Sequence, residues 1–294
     1  MKKMFKAIRN RMLSPVMSDL AHLSAQVEKL STNQTGCRID EDCCLYMDAA
    51  TTKRILADRI AAGDMPDYEE ILRQQYTKLI RPGNFVIDIG AHEGKHLSAF
   101  ISLVGKKGGV LAVEPLAAQF NALVERFSFP NVEIINKALS DLPGMMPFYE
   151  NTDYPEESGL KKRIYNNEGG TVVEKEIEVT TLDILSGSFS GLDYIKLDAE
   201  GAEIAILNGG VNTINKFRPV ISVEYGHPAY SVYGYTADSL YDFRESVNYH
   251  ITDIYGNVIY GRDMWHKLCD SVYWDFFIVP EEKIELFLTS IHTF

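Results

Sequence analysis

Two acids set the first chemical question. Asp88 sits in the stretch Val86-Ile87-Asp88-Ile89-Gly90-Ala91-His92-Glu93-Gly94, and Glu114 closes the apolar run Val110-Leu111-Ala112-Val113. The first stretch reads as a short buried strand turning through glycines into a helix, the arrangement that cradles a nucleotide-like cofactor. Its spacing is D-x-G-x-x-x-G, not the dinucleotide pattern G-x-G-x-x-G, and Asp88 stands where that pattern puts its first glycine. An acid there repels a pyrophosphate but tolerates a cationic amine and a sulfonium. Glu114 lies at the distance downstream where an acid holds both hydroxyls of a ribose. Together they point to S-adenosylmethionine (SAM), with S-adenosylhomocysteine as product. The plain alternative is a glycine turn that only packs a helix on a sheet.

A second group of residues bears on the acceptor side. Asp198 and Glu224 follow or close the apolar runs Tyr194–Leu197 and Val220–Glu224, and open α/β sheets bind ligands beyond such carboxyl ends. Lys196 lies inside its run, on the face shared by Tyr194 and Asp198. A buried amine there requires a carboxylate partner, Asp198 or Asp88, unless its stem packs while the amine escapes to solvent. Methyl transfer to a hydroxyl requires in-line positioning and removal of a proton. Asp198 is the first candidate base and His227 the second. Magnesium held by Asp198 and Glu224 is the third option, weakened because Tyr225 occupies the position where a further oxygen ligand is expected. Tyr225, Tyr230, Tyr233 and Tyr235 in one glycine- and proline-bearing loop suit a sugar-stacking surface. Glu200, Glu224, Tyr225, His227, Tyr230 and Tyr233 are therefore the expected acceptor contacts.

The motifs Val86–Ala91, Glu114-Pro115, Ala138-Leu139-Ser140-Asp141 and Ile195-Lys196-Leu197-Asp198-Ala199-Glu200-Gly201-Ala202-Glu203 occur in that order. The chain thereby resembles the FkbM family of SAM-dependent methyltransferases over about residues 80–280. The resemblance implies a class I, Rossmann-like methyltransferase with a seven-stranded, mostly parallel sheet, and O-methylation of sugars or natural products. It implies that Asp88, Gly90, Ala91, His92, Gly94, Glu114, Pro115, Ala138, Leu139, Ser140, Asp141 and Asp198 surround the cofactor, with Asp141 accepting from the adenine amine. His92 departs from the family, which often has asparagine there.

Several elements must position these residues. Residues 1–13 form a basic amphipathic stretch. Ser14-Pro15 then starts a helix, with Leu13, Val16, Leu20, Leu23, Val27 and Leu30 as an a/d seam. Too short to stand alone, this seam predicts self-association through residues 14–31, docking on its own domain, or a partner or membrane. Residues 1–47 make this helix and a linker, and 48–82 a helical cap with helices over 49–62 and after Pro66. Residues 83–294 make the methyltransferase domain. Strands are predicted at Phe85–Ile89, Gly109–Glu114, Val132–Ala138, Tyr194–Leu197, Val220–Glu224, His250–Ile254 and Val272–Val279. Helices are predicted over Lys95–Val104, Ala117–Phe127, Ala202–Lys216 and Ala237–Val247. The last two strands, with no clear helix between them, predict an antiparallel pair. Residues 142–180 read as a flap insert with strands at Met146–Tyr149 and Thr171–Val179.

Composition limits the partners. The chain has 294 residues, 46% hydrophobic, and a net charge of −12. Lys2, Lys3, Lys6, Arg9 and Arg11 stand within residues 1–14 without an acid, so the remainder is more acidic than the total. That argues against a nucleic-acid substrate. Cys37, Cys43, Cys44 and Cys269 lack zinc spacing and read as reduced thiols. No membrane span or signal peptide is apparent, which predicts a cytoplasmic enzyme. The expected reaction is methylation of a sugar hydroxyl, in a nucleotide-sugar or a surface glycan. The alternatives are a polyketide, peptide or lipid acceptor, or a non-catalytic SAM-binding scaffold.

Overall fold

The computed structural model describes residues 53–54, 57–58, 60–61, 63, 66–162, 170–271 and 273–292. The predicted heptad helix 14–31, the linker cysteines and most of the predicted 49–62 helix lie outside them. The chain divides into units Met1–Asp48 and Ala49–Phe294, and the second carries everything below.

The first fully described element is α1, Tyr68–Leu79. Asp67 caps it by accepting from the Glu70 amide at 3.0 Å, and Glu69 and Glu70 complement the positive end of the helix dipole. Leu72 and Tyr76, four apart, form its buried stripe. The alternating part begins with β1 (Phe85–Ile89), α2 (Leu97–Val104), β2 (Gly109–Val113), α3 (Ala117–Arg126) and β3 (Val132–Ile135). It resumes with β7 (Tyr194–Leu197), α5 (Glu203–Asn208), α6 (Val211–Phe217), β8 (Val220–Glu224), α7 (His227–Tyr230) and α8 (Ala237–Ser246). β9 (Tyr249–Asp253), α9 (Arg262–Leu268), β10 (Asp275–Pro280) and α10 (Ile284–His292) complete the described chain.

The main sheet has seven strands in the order β3-β2-β1-β7-β8-β10-β9. Only β10 runs against its neighbours, pairing antiparallel with both β8 and β9. The two-residue period separates the faces. Ile87, Ile89, Ile195, Leu197, Ile221 and Val223 pack on α5, α6, α8 and α9. Val86, Tyr194, Phe277 and Val279 pack on α1, α2 and α10. Burying both faces explains why the central strands carry nearly unbroken apolar runs. Asp88 and Lys196 interrupt that pattern on the α1/α2 face, directly opposite each other in register.

Three expectations are corrected. The strand predicted over Val132–Ala138 ends at Ile135, and Ala138–Leu139 is β4 of a second sheet. The order there is β4-β6-β5, with β5 at Gly144–Asn151 and β6 at Val172–Thr180. The polar pair Asn136-Lys137 marks the crossing, and Asn136 donates to the carbonyls of Glu114 and Pro115. The helix predicted over Ala202–Lys216 breaks at Gly209-Gly210, because a Cβ on Gly209 would lie 2.3 Å from the Ser140 carbonyl. The segment between β9 and β10 does contain a helix, α9. Its buried anchors, Trp265 and Leu268, are too few to show a helical period in sequence. A short α4, Leu182–Leu185, follows β6, capped by Thr181.

Candidate active site

The strand order reverses between β1 and β7, each of which has its other neighbour on the far side. The cleft beyond their carboxyl ends is the place where such sheets bind ligands. Here it contains two cavities.

The first, about 280 Å³, is lined by Gly90, Ala91, His92, Glu114, Pro115 and Leu139 among others. The loop after β1 enters it through two left-handed residues, Gly90 at φ +77 and His92 at φ +46. A Cβ on Gly90 would lie 1.8 Å from the Asp198 carbonyl oxygen, so glycine is required there. Histidine tolerates the left-handed region better than most residues, which suits His92 to this turn. Glu114 is 3% exposed. Its Oε2 accepts from the His92 amide at 2.7 Å and its Oε1 from the Leu116 amide at 2.8 Å. These bonds fix the carboxylate plane and leave lone pairs directed at the cavity. Burial raises its pKa to about 7 against the opposing amide bonds.

The second cavity, about 350 Å³, lies between α1 and the ends of β7, β8 and β10. Tyr68, Tyr273 and Trp274 supply aromatic wall, and Glu69, Asp198, Glu224 and Asp275 supply carboxylates. Glu69, Lys196, Asp198 and Glu224 line both cavities and so mark where they meet. Lys196 is 5% exposed, and its Nζ donates to Asp198 Oδ2 at 3.0 Å. Burial alone would push its pKa down, but the charges of Asp198 and Asp88 overcome that and hold the amine protonated. Of the two expected partners, Asp198 is the hydrogen-bonded one. Asp275 stands opposite Glu224 in the antiparallel register. The charge of Asp198, then burial, holds Glu224 well above the usual carboxylate range. Burial, then Asp198, takes Asp275 to about 7. Among the described residues no group of three histidine, cysteine, aspartate or glutamate side chains is arranged to hold a metal ion.

The loop after β7 is clamped by Glu203, whose Oε1 accepts from the amides of Ala199 at 2.9 Å and Gly201 at 3.0 Å. This explains the second acid of the Glu200-Gly201-Ala202-Glu203 motif: it fixes the turn that sets Asp198. Glu200, at φ +55, lines the 280 Å³ cavity.

Other predicted residues lie elsewhere. Asp88 is 1% exposed, lines neither cavity, and neither carboxylate oxygen has a hydrogen-bond partner. Burial raises its pKa, opposed by Lys196. Gly94 packs beneath Leu123 and Phe127. Ser140 and Asp141 also fall outside both linings, since the chain turns there toward β5, with the Ser140 hydroxyl donating to Asp141. Tyr225 and Tyr230 are buried, their rings stacked 4.5 Å apart and their hydroxyls held by the Thr236 carbonyl and by Asp270. They are core residues and line neither cavity. Tyr233 packs against the small core beneath the β4-β6-β5 sheet. His227 is exposed at the start of α7, its amide donating to Asp270, and it too lines neither cavity. It is not placed to act as base.

The sequence reading missed Glu69 and His96, which come from α1 and the turn before α2, and Trp274 and Asp275 at the start of β10. Only the acid opening a buried strand, Asp275, left a signal in the pattern. It also missed that Phe148 and Leu160 of the flap wall the 280 Å³ cavity.

The family model of the methyltransferase FkbM domain matches residues 88–251, more than half of the chain. No curated protein matches it. Among solved structures, the chain is similar to the methyltransferase FkbM from Methylobacillus flagellatus KT, with 15% identity and a TM-score of 0.42 over 78% of this chain and 58% of that one. This chain thus spans well under two thirds of that protein's length. It is also similar to a SAM-dependent methyltransferase from Aquifex aeolicus, with 14% identity and a TM-score of 0.39 over 80% and 98% of the two chains. A putative rRNA-methylase from Clostridium thermocellum gives 10% identity and a TM-score of 0.42 over 73% and 94%.

Proposed function

The chain belongs to the FkbM family of methyltransferases, and on that premise we propose that it O-methylates a sugar hydroxyl, with the donor in the 280 Å³ cavity and the acceptor in the 350 Å³ one. The observation that carries this reading is the junction at Lys196, Asp198, Glu224 and Glu69, where a donor and an acceptor in adjoining cavities would meet.

The residues of the first cavity fit SAM. His92 Nε2 is a buried ring nitrogen without a hydrogen-bond partner, and Glu114 offers both carboxylate oxygens to a diol. The cofactor, when bound, supplies an already activated methyl group. The chain supplies the rest. Lys196 keeps Asp198 oriented through its Oδ2, and the Asp198 carboxylate takes the acceptor hydroxyl proton. Glu224, pushed above the usual carboxylate range by that charge, lines the junction beside it. Trp274 and Tyr68 give the acceptor cavity the aromatic lining that suits a pyranose. The carboxylates of Glu69 and Asp198 against one engaged amine disfavour a phosphate inside the cavity, so an uncharged glycan end suits it better than the diphosphate of a nucleotide-sugar.

The test is incubation with labelled SAM and a panel of methyl hexopyranosides, a nucleotide-sugar, a hydroxylated macrolide, a serine peptide and a fatty alcohol. The reading expects label on a hexopyranoside. Transfer only to a non-sugar member refutes the acceptor class. SAM binding with no transfer to any member refutes catalysis of this kind and favours a scaffold.

A further inference from the structure

Glu69 is the one residue at the junction that does not come from the sheet. It is presented by the first turn of α1, before the segment that the family model matches. Its side chain is about half exposed, and it lines both cavities. Its Oε2 is taken by His96 Nε2, with Lys95 at 3.9 Å. Its Oε1 accepts no hydrogen bond from the described residues. His96 is 6% exposed, and its Nδ1 lies 3.0 Å from the hydroxyl of Tyr76, which is fully buried. A consistent proton arrangement has Tyr76 donating to Nδ1 and Nε2–H donating to Glu69. The chain of three therefore runs from the core to the junction and ends in a carboxylate with one free oxygen.

We propose that Glu69 is an acceptor-binding residue of the transfer site, its carboxylate aimed by Tyr76 and His96 to receive a hydrogen bond from a hydroxyl of the acceptor. The proposal rests on the reading of the junction as a methyl-transfer centre. Of the other carboxylates at the junction, Asp198 is bonded by Lys196 and Glu224 sits against Asp198, whereas Glu69 reaches the junction from a separate element with its own support from the core. The hydrogen bond from His96 holds Glu69 down at about 2. So acidic a group is a poor proton acceptor near neutral pH. Its part is to orient the acceptor, while proton removal stays with Asp198. Because His96 also belongs to the turn that follows the cofactor loop, acceptor placement is tied to the cofactor side.

The experiment uses the full chain and the panel member that it methylates fastest. Glu69→Gln should raise the acceptor KM at least tenfold, lower kcat by less, and leave SAM affinity by calorimetry within twofold. Tyr76→Phe keeps the buried ring and removes only the hydroxyl against His96, so it should raise the acceptor KM by a smaller factor at normal SAM affinity. If Glu69→Gln disturbs SAM binding, Glu69→Asp, which keeps the charge and withdraws it by one methylene, is read by the same criteria. An unchanged acceptor KM, or a loss confined to kcat, overturns the assignment and leaves the methyltransferase reading standing. An unchanged KM in Tyr76→Phe overturns the aiming role. Failure to methylate any panel member overturns both readings together.

Discussion

Gly90 and Asp198 meet backbone to backbone, with the position of a Gly90 Cβ only 1.8 Å from the Asp198 carbonyl oxygen. The loop proposed to hold the donor and the strand end proposed to carry the base are thus in direct contact. Gly90→Ala must push them apart, and it also forces a side chain onto φ +77. We expect SAM affinity to fall at least tenfold and the melting temperature to drop. Calorimetry and thermal denaturation showing wild-type values would mean that the loop can shift at no cost.

Asp198→Asn should lower turnover by roughly 10²–10⁴-fold while SAM affinity stays close to normal. The same change leaves Lys196 buried without its carboxylate, which costs on the order of 3–5 kcal/mol of stability. Adding Lys196→Met should restore part of that stability but none of the activity. Assays with and without EDTA separate base from metal: chelator-sensitive wild-type turnover, rescued by magnesium, would replace the base with a metal-held hydroxyl.

Glu114→Ala should weaken SAM binding by about 1–3 kcal/mol, because charge-assisted bonds to the ribose are lost and the His92 amide loses its acceptor. Calorimetry reads this directly. An unchanged dissociation constant would remove Glu114 from the donor site.

Glu203 is 2% exposed, and burial takes its pKa to about 7, opposed by the amides it clamps. A folded-state pKa above the unfolded value means that the native state binds the proton more tightly. The associated stability is present below about pH 4.5 and is lost as pH rises through 7, a total of roughly 3 kcal/mol. Glu203→Gln should therefore flatten the decline in melting temperature between pH 5 and 8. If wild type and variant decline in parallel over that range, Glu203 is not the group that titrates.

Residues 14–31, with their heptad seam, are proposed to mediate self-association. Light scattering on the full chain and on one beginning at Thr32 should give different oligomeric states. The same state for both would assign the seam another use.

Part of the first cavity was legible because the loop after β1 is local: Gly90, His92 and Glu114 do line it together. Asp88, the other acid of that reading, lies buried and lines neither cavity, since spacing does not say on which side of a strand the pocket opens. Lys196 was legible for a different reason: a lysine inside an apolar strand needs a partner wherever the strand lies. The acceptor half was not legible, because Glu69, Trp274 and Asp275 reach the cavity from α1 and β10, far apart in sequence. The tyrosine-rich loop misled because composition does not say which way a ring turns. Tyr225 and Tyr230 stack inward where a surface was expected. Gly209-Gly210 shows the same limit at the level of fold, since the close approach of the Ser140 carbonyl and the Leu182 side chain that requires glycine at both positions comes from segments far away in sequence.

The reversed direction of β10 has a consequence for how such an enzyme can diversify. A parallel strand would bring its carboxyl end to the cleft; β10 brings its beginning, so the connection from β9 ends at the 350 Å³ cavity with Tyr273 and Trp274 as its last residues. The groups proposed to hold the donor lie on β1, β2 and their loops, on the other side of β7. Most of that connection is tied into the core through Ile259, Trp265 and Leu268, so Trp274, at its end and only partly buried, is the position where a substitution would alter the cavity wall while leaving β1, β2 and their loops intact.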